Sequence, residues 1–101
     1  MDYSKLEDNE IIERIHKHDD DAVEYLLKKY GYLVKREVRT VYLIGAEMDD
    51  LSQEGMIGLF KAVQDYDVDQ EASFFSFARL CVTRQLYSAI EASNRKKHSP
   101  L

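Results

Sequence analysis

The stretch DLSQEGMIGLFKAV, Asp50 to Val63, reads as one amphipathic helix that breaks a helix rule twice. Gly55 and Gly58 fall inside its apolar-periodic run. Each costs about 1 kcal/mol against alanine in a helix interior. Glycines kept at such positions point to bare backbone that another element approaches closely. Met56, Leu59, Phe60 and Val63 recur at helical spacing as an apolar stripe, while Asp50, Gln53, Glu54, Lys61 and Gln64 fall on another side.

Working outward, three further helices are legible. A first runs from about Asp8 to His18, with Ile11, Ile12 and Ile15 as its stripe. Asp19, Asp20 and Asp21 then offer an N-cap and favourable charge to the next helix. That helix is expected from about Ala22 to Leu43, bent at Gly31 and ended by Gly45. After the helix from Asp50, the charged loop DYDVDQEAS leads into a last helix from about Phe74 to Asn94. The run Ser73–Phe77 is too short for a strand, and its apolar spacing continues at helical period through Ala78, Val82, Leu86 and Ile90. The fold expected is all-α: a compact bundle of three main helices plus a short N-terminal helix, one domain over residues 1–101. The chain stops at Leu101 without a terminal cap or tail, and we read it as a fragment of a longer protein.

Composition narrows the classes. No apolar run approaches the roughly 18 residues of a membrane span, so no membrane partner is expected. The opening MDYSKLEDNE is acidic and polar, unlike a secretory signal or a transit peptide. The lone Cys81 excludes an internal disulfide and fits a reducing, cytoplasmic setting. The net charge of −5 hides a split. Residues 74–101 hold five basic residues against one acid, whereas residues 1–73 hold nine basic residues against eighteen acids. A basic end on an acidic body suits an anionic partner at one end and a different one elsewhere.

Plotted at about 100° per residue, the last helix has two faces. Phe75, Ala78, Val82, Leu86, Ala89 and Ile90 share one side, expected to be core. Phe77, Leu80, Arg84, Tyr87, Ser88, Glu91 and Arg95 share the other. Rings that stack on unpaired bases, beside cations that meet phosphates, are what single-stranded nucleic acid requires. The same pattern also describes an ordinary protein interface flanked by solvated arginines.

Other signals lead nowhere. Asp65, Asp67 and Asp69 begin like a calcium loop, but its sixth position is Gln70 and its twelfth is Ser76. His16 and His18, two residues apart, point to different sides of a helix. Cys81 borders the core face, as an inert buried cysteine does. No nucleophile–base pair, phosphate loop or zinc spacing is present. The chain is therefore expected to be no enzyme and to need no cofactor or metal.

The helix from Asp50 resembles the core-binding helix of bacterial sigma-70-type RNA polymerase sigma factors. The segment FFSFARLCVTRQLYSAIEASNRKKHSPL, from Phe74, resembles the promoter-melting and minus-ten recognition helix of that family. The leading part, LEDNEIIERIHKHDDDAVEYLLKKYGYLV, resembles the segments before them, so the likeness covers nearly the whole chain as region 2. Within the family, LCVTRQLYSAIEASNRKKHSPL looks most like the sporulation sigma factor H subfamily.

The resemblance implies an alternative sigma factor domain serving sporulation or stationary-phase genes. It implies that Asp50, Gln53 and Glu54, with Met56 and Phe60 beside them, face the clamp coiled coil of the largest subunit of core RNA polymerase. It implies that Phe74 and Phe77 take part in strand opening of promoter DNA, with Phe77 stacking on a flipped non-template base. Arg84 matches the position that reads the upstream edge of the minus-ten element, and Ser88 lies one turn on. Arg79, Arg95, Lys96 and Lys97 are assigned to phosphates, which position without specifying. An anti-sigma factor is a further partner of such domains. Leu80 and Cys81 stand where primary sigma factors carry a tryptophan pair, so the wedge at the opened duplex is weaker and promoter choice stricter. Nothing matches the domain that reads the minus-thirty-five element. The rival reading is a helical protein-interaction adaptor that never touches DNA.

Overall fold

Asp19 begins the second helix as its spacing suggests, and from there the described residues are helical almost throughout. The computed structural model describes residues 1–43 and 50–97. After a 3-10 turn at Tyr3–Lys5, five α-helices follow: α1 (Asp8–His16), α2 (Asp20–Lys29), α3 (Gly31–Leu43), α4 (Leu51–Asp65) and α5 (Phe74–Lys97). No strand occurs among the described residues. The Asp19 carboxylate accepts from the Ala22 amide at 3.2 Å and caps α2. Glu10 accepts from the Glu7 amide at 3.2 Å at the start of α1. Ser73 Oγ accepts from the Ser76 amide at 3.2 Å and starts α5. The proposed end of the earlier helix at Gly45 lies outside the described residues.

The long helix expected from Ala22 to Leu43 is two helices, α2 and α3, interrupted at Tyr30. The cause is a tertiary contact. The Tyr30 hydroxyl donates to the Asp8 carboxylate on α1, and Lys29 Nζ reaches the other oxygen at 2.7 Å. The Tyr30 ring lies edge-on against Phe74, with centroids 5.2 Å apart. Holding the ring inward puts Tyr30 outside helical geometry (φ −103°, ψ 8°), and Gly31 opens α3.

Ile11, Ile12, Leu26, Leu33, Leu59, Val63, Val82 and Leu86 form the centre of one apolar core drawn from all five helices. The most extensive pairing is that of α4 with α5. Gly58 makes it possible: a Cβ there would stand 2.8 Å from both the Cys81 carbonyl oxygen and the Val82 Cα. Gly55 plays the same part toward α3, where a Cβ would meet a Val34 methyl at 2.6 Å. Both helix-breaking residues are thus points of close helix approach, one on each side of α4. Between α4 and α5 the loop is fastened by the Tyr66 hydroxyl, which donates to the Ala72 carbonyl at 2.7 Å.

Candidate functional site

Burying Leu51, Gly55, Gly58, Leu59, Ala62 and Val63 turns the opposite side of α4 to solvent. Asp50 and Gln53 are exposed there, and Glu54 is half-buried. The stripe read from sequence divides: Leu59 and Val63 enter the core, while Met56 and Phe60 remain 37% and 41% exposed. Ile57, 44% exposed, completes the outer face and was missed. A signal existed, since Ile57 stands one turn after Gln53 and three residues before Phe60. The resulting surface has an apolar centre with a polar and acidic rim, the anatomy of a protein interface.

Glu54 is not a simple rim charge. Its carboxylate accepts from Gln85 Nε2 at 2.7 Å, and Gln85 Oε1 accepts from Lys61 Nζ at 3.0 Å. Gln85 lies on α5, so this polar chain ties the outer face of α4 to the neighbouring helix. Sequence spacing could not reveal it, because the contact depends on how the two helices are aligned.

On α5 the outer face is largely as plotted. Leu80, Arg84, Tyr87, Ser88 and Arg95 are exposed, with Leu80 and Tyr87 the large apolar surfaces. Phe77 is half-buried, its ring 5.5 Å from that of Tyr66. That contact fixes the ring's orientation while leaving part of it accessible. Lys96 and Lys97 lie in the last turn of α5, and their side chains are outside the described residues.

Two residues depart from the sequence reading. Phe74, expected in strand opening, is 2% exposed and packs edge-on against Tyr30 and Tyr66. In this structure it is a core anchor at the start of α5 and offers no surface to a base. Its place four residues before Ala78, in series with Val82 and Leu86, was the available signal. Arg79, expected on a phosphate, donates through Nε to Glu37 Oε1 of α3 at 3.1 Å. Glu37 is buried, and Arg36 Nε approaches the same oxygen at 4.0 Å. A buried carboxylate needs such a partner, so Arg79 is a strut between α3 and α5. Glu37, a single acid among Leu33, Val34, Val38 and Val41, was the overlooked residue.

Electrostatics elsewhere are structural. Burial, and secondarily Asp65, pushes the Cys81 thiol up, which favours its protonated form. Among the described residues no cluster of three or more potential metal-binding side chains occurs, and no helix is long and apolar enough to cross a membrane.

Comparison with known proteins gives the chain's family. The Sigma-70 region 2 family matches residues 26–96, which include α3, α4 and most of α5. The RNA polymerase sigma-H factor of Bacillus subtilis is 46% identical over 99 residues, covering 98% of this chain and 45% of that protein. The sigma-H factor of Bacillus licheniformis is likewise 46% identical, with 98% of this chain and 44% of that protein covered. The RNA polymerase sigma factor FliA of Pseudomonas aeruginosa is 40% identical over 63 residues, with 57% of this chain and 25% of that protein covered. The chain spans less than half the length of these curated relatives. No solved structure gives a significant match. With most of its length matched by the family and sigma-H factors among its relatives, the chain belongs to the sigma-70 region 2 family.

Proposed function

We propose that this chain is the domain of an alternative sigma factor that binds core RNA polymerase through α4 and recognises and opens the minus-ten promoter element through α5. The observation that carries the proposal is the locking of two chemically different outer faces to one another at Gly58. Asp50, Gln53, Met56, Ile57 and Phe60 present an apolar centre with a polar and acidic rim, suited to the clamp coiled coil of the largest subunit. Phe77, Leu80, Arg84, Tyr87 and Ser88 present rings and cations suited to the non-template single strand. The chain's part is binding rather than catalysis, with the polymerase as the enzyme, in the cytoplasm, at sporulation or stationary-phase genes.

Energetics explain why the two activities belong together. Extracting a base from a duplex costs a few kcal/mol, and one aromatic stack returns about 1–3 kcal/mol. Phe77 alone would barely offset one base. Leu80, where primary members of the family carry tryptophan, adds less than a ring would. Opening therefore depends on the polymerase holding the strand on several contacts at once. Arg84 can form a bidentate contact to guanine, worth about 1–3 kcal/mol of discrimination, and Arg95, Lys96 and Lys97 are suited to phosphates.

The test is binding of a single-stranded minus-ten oligonucleotide by the chain in complex with core polymerase. Arg84→Ala is expected to weaken it about 10-fold or more, in line with the loss of one bidentate contact. Equal binding by Arg84→Ala and by Phe77→Ala would remove DNA from the reading and favour a helical adaptor.

A further inference from the structure

A groove of about 400 Å³ lies between α4 and the corner that joins α1 to α2. Ile15, His16, His18, Asp20 and Val23 wall it on one side, and Phe60 and Gln64 on the other. Phe60 therefore belongs both to this groove and to the exposed face of α4.

The far wall is preformed. Helix α1 ends with the Asp19 amide donating to the Arg14 carbonyl at 3.1 Å and the His18 amide donating to the Ile15 carbonyl at 2.9 Å. His18 takes the left-handed conformation, φ 68°, that this ending requires. Asp19 then caps α2, and its two carboxylate oxygens also share the single proton of the Tyr3 hydroxyl, at 3.0 and 2.9 Å. The corner is thus fastened from both sides, and a partner would meet a rigid wall with little ordering cost.

We infer that the polymerase-binding surface has two walls, and that a partner helix lying along α4 seats an apolar side chain in this groove beside Phe60. The inference rests on the α4 assignment made above. From Gln53 to Gln64 the outer face of α4 is about 16 Å long at 1.5 Å per residue, and the groove lies at its C-terminal end. A helix following α4 reaches the groove with one further turn. Apolar anchors filling a concave site within a larger contact carry a disproportionate share of binding energy. The polar rim at His16, His18, Asp20 and Gln64 leaves room for one side chain rather than a continuous apolar sheet.

The experiment titrates purified core RNA polymerase with the labelled full chain and with Val23→Gln. A second form carries the photo-reactive residue p-benzoylphenylalanine in place of His16. Melting curves establish that each form is folded. The expected result is native binding, weakening of about 10-fold or more for Val23→Gln, and light-induced attachment of position 16 to a polymerase subunit. Should Val23→Gln not fold, attachment from position 16 decides alone. Native binding with no attachment, and with a folded Val23→Gln that binds normally, would overturn the groove while leaving the outer face of α4 in place. Failure of the native chain to bind would overturn both.

Discussion

Gly58 of α4 lies so close to Val82 of α5 that a methyl group on it would stand 2.8 Å from the Val82 Cα. The obstruction is backbone, including the Cys81 carbonyl oxygen at the same distance, and cannot rotate away. Gly58→Ala gains about 1 kcal/mol of helix propensity and loses about 1–3 kcal/mol to overpacking. A net loss of up to about 2 kcal/mol is expected, read as a lower urea midpoint. Gly55→Ala meets side chains rather than backbone, a Val34 methyl at 2.6 Å and a Val38 methyl at 3.6 Å, and should lose less. An unchanged or raised midpoint for Gly58→Ala would show that the helices part more easily than this contact indicates.

His18 illustrates the opposite case, a position where glycine is missing. Its φ of 68° is left-handed, a conformation that costs an L-residue about 1–2 kcal/mol. His18→Gly removes that strain but adds unfolded-state entropy worth about 0.5–1 kcal/mol. The expected balance is a gain of about 0.5–1 kcal/mol, seen as a Tm higher by a few degrees. A lower Tm would mean that the imidazole contributes more than the strain removes.

Alkaline pH should weaken the fold through Tyr30. Burial first, and then its bond to Asp8, push the Tyr30 hydroxyl well above its ordinary value. The folded chain holds that proton more tightly than the unfolded chain does. Stability from this group is therefore complete below about pH 10 and declines as pH rises further. One proton limits the slope to about 1.4 kcal/mol per pH unit. Lys29, raised chiefly by its hydrogen bond to Asp8, acts in the same direction. Thermal melts from pH 8 to 11 should show a falling Tm, with a shallower fall in Tyr30→Phe. Equal slopes would remove Tyr30 from the explanation.

These cases also mark where sequence reading succeeds. The helix from Asp50 to Val63 was legible nearly to its ends, because a 3.6-residue period and two glycines are local signals. Helix α4 occupies Leu51–Asp65. The break at Tyr30 was not legible, since it depends on Asp8, 22 residues earlier in the chain. Phe74 was given to strand opening by likeness to a family, although its spacing with Ala78 and Val82 suits the core. Arg79 was assigned to phosphate because nothing local indicated that Glu37, 42 residues away, would be buried beside it. Ile57 was within reach of the helical plot, whereas the Glu54–Gln85–Lys61 chain required the alignment of two helices.

The most direct measurement is retention of the chain by immobilised core RNA polymerase, comparing native protein with Gln53→Ala/Ile57→Ser. Both residues are exposed on the outer face of α4, so the double variant should fold as the native chain does. Glu54 is left intact because Gln85 holds it as part of the helix pairing. We expect the native chain to be retained and the folded double variant to be lost. Native protein that folds but is not retained, or a variant retained equally well, would contradict the assignment of this face to the polymerase.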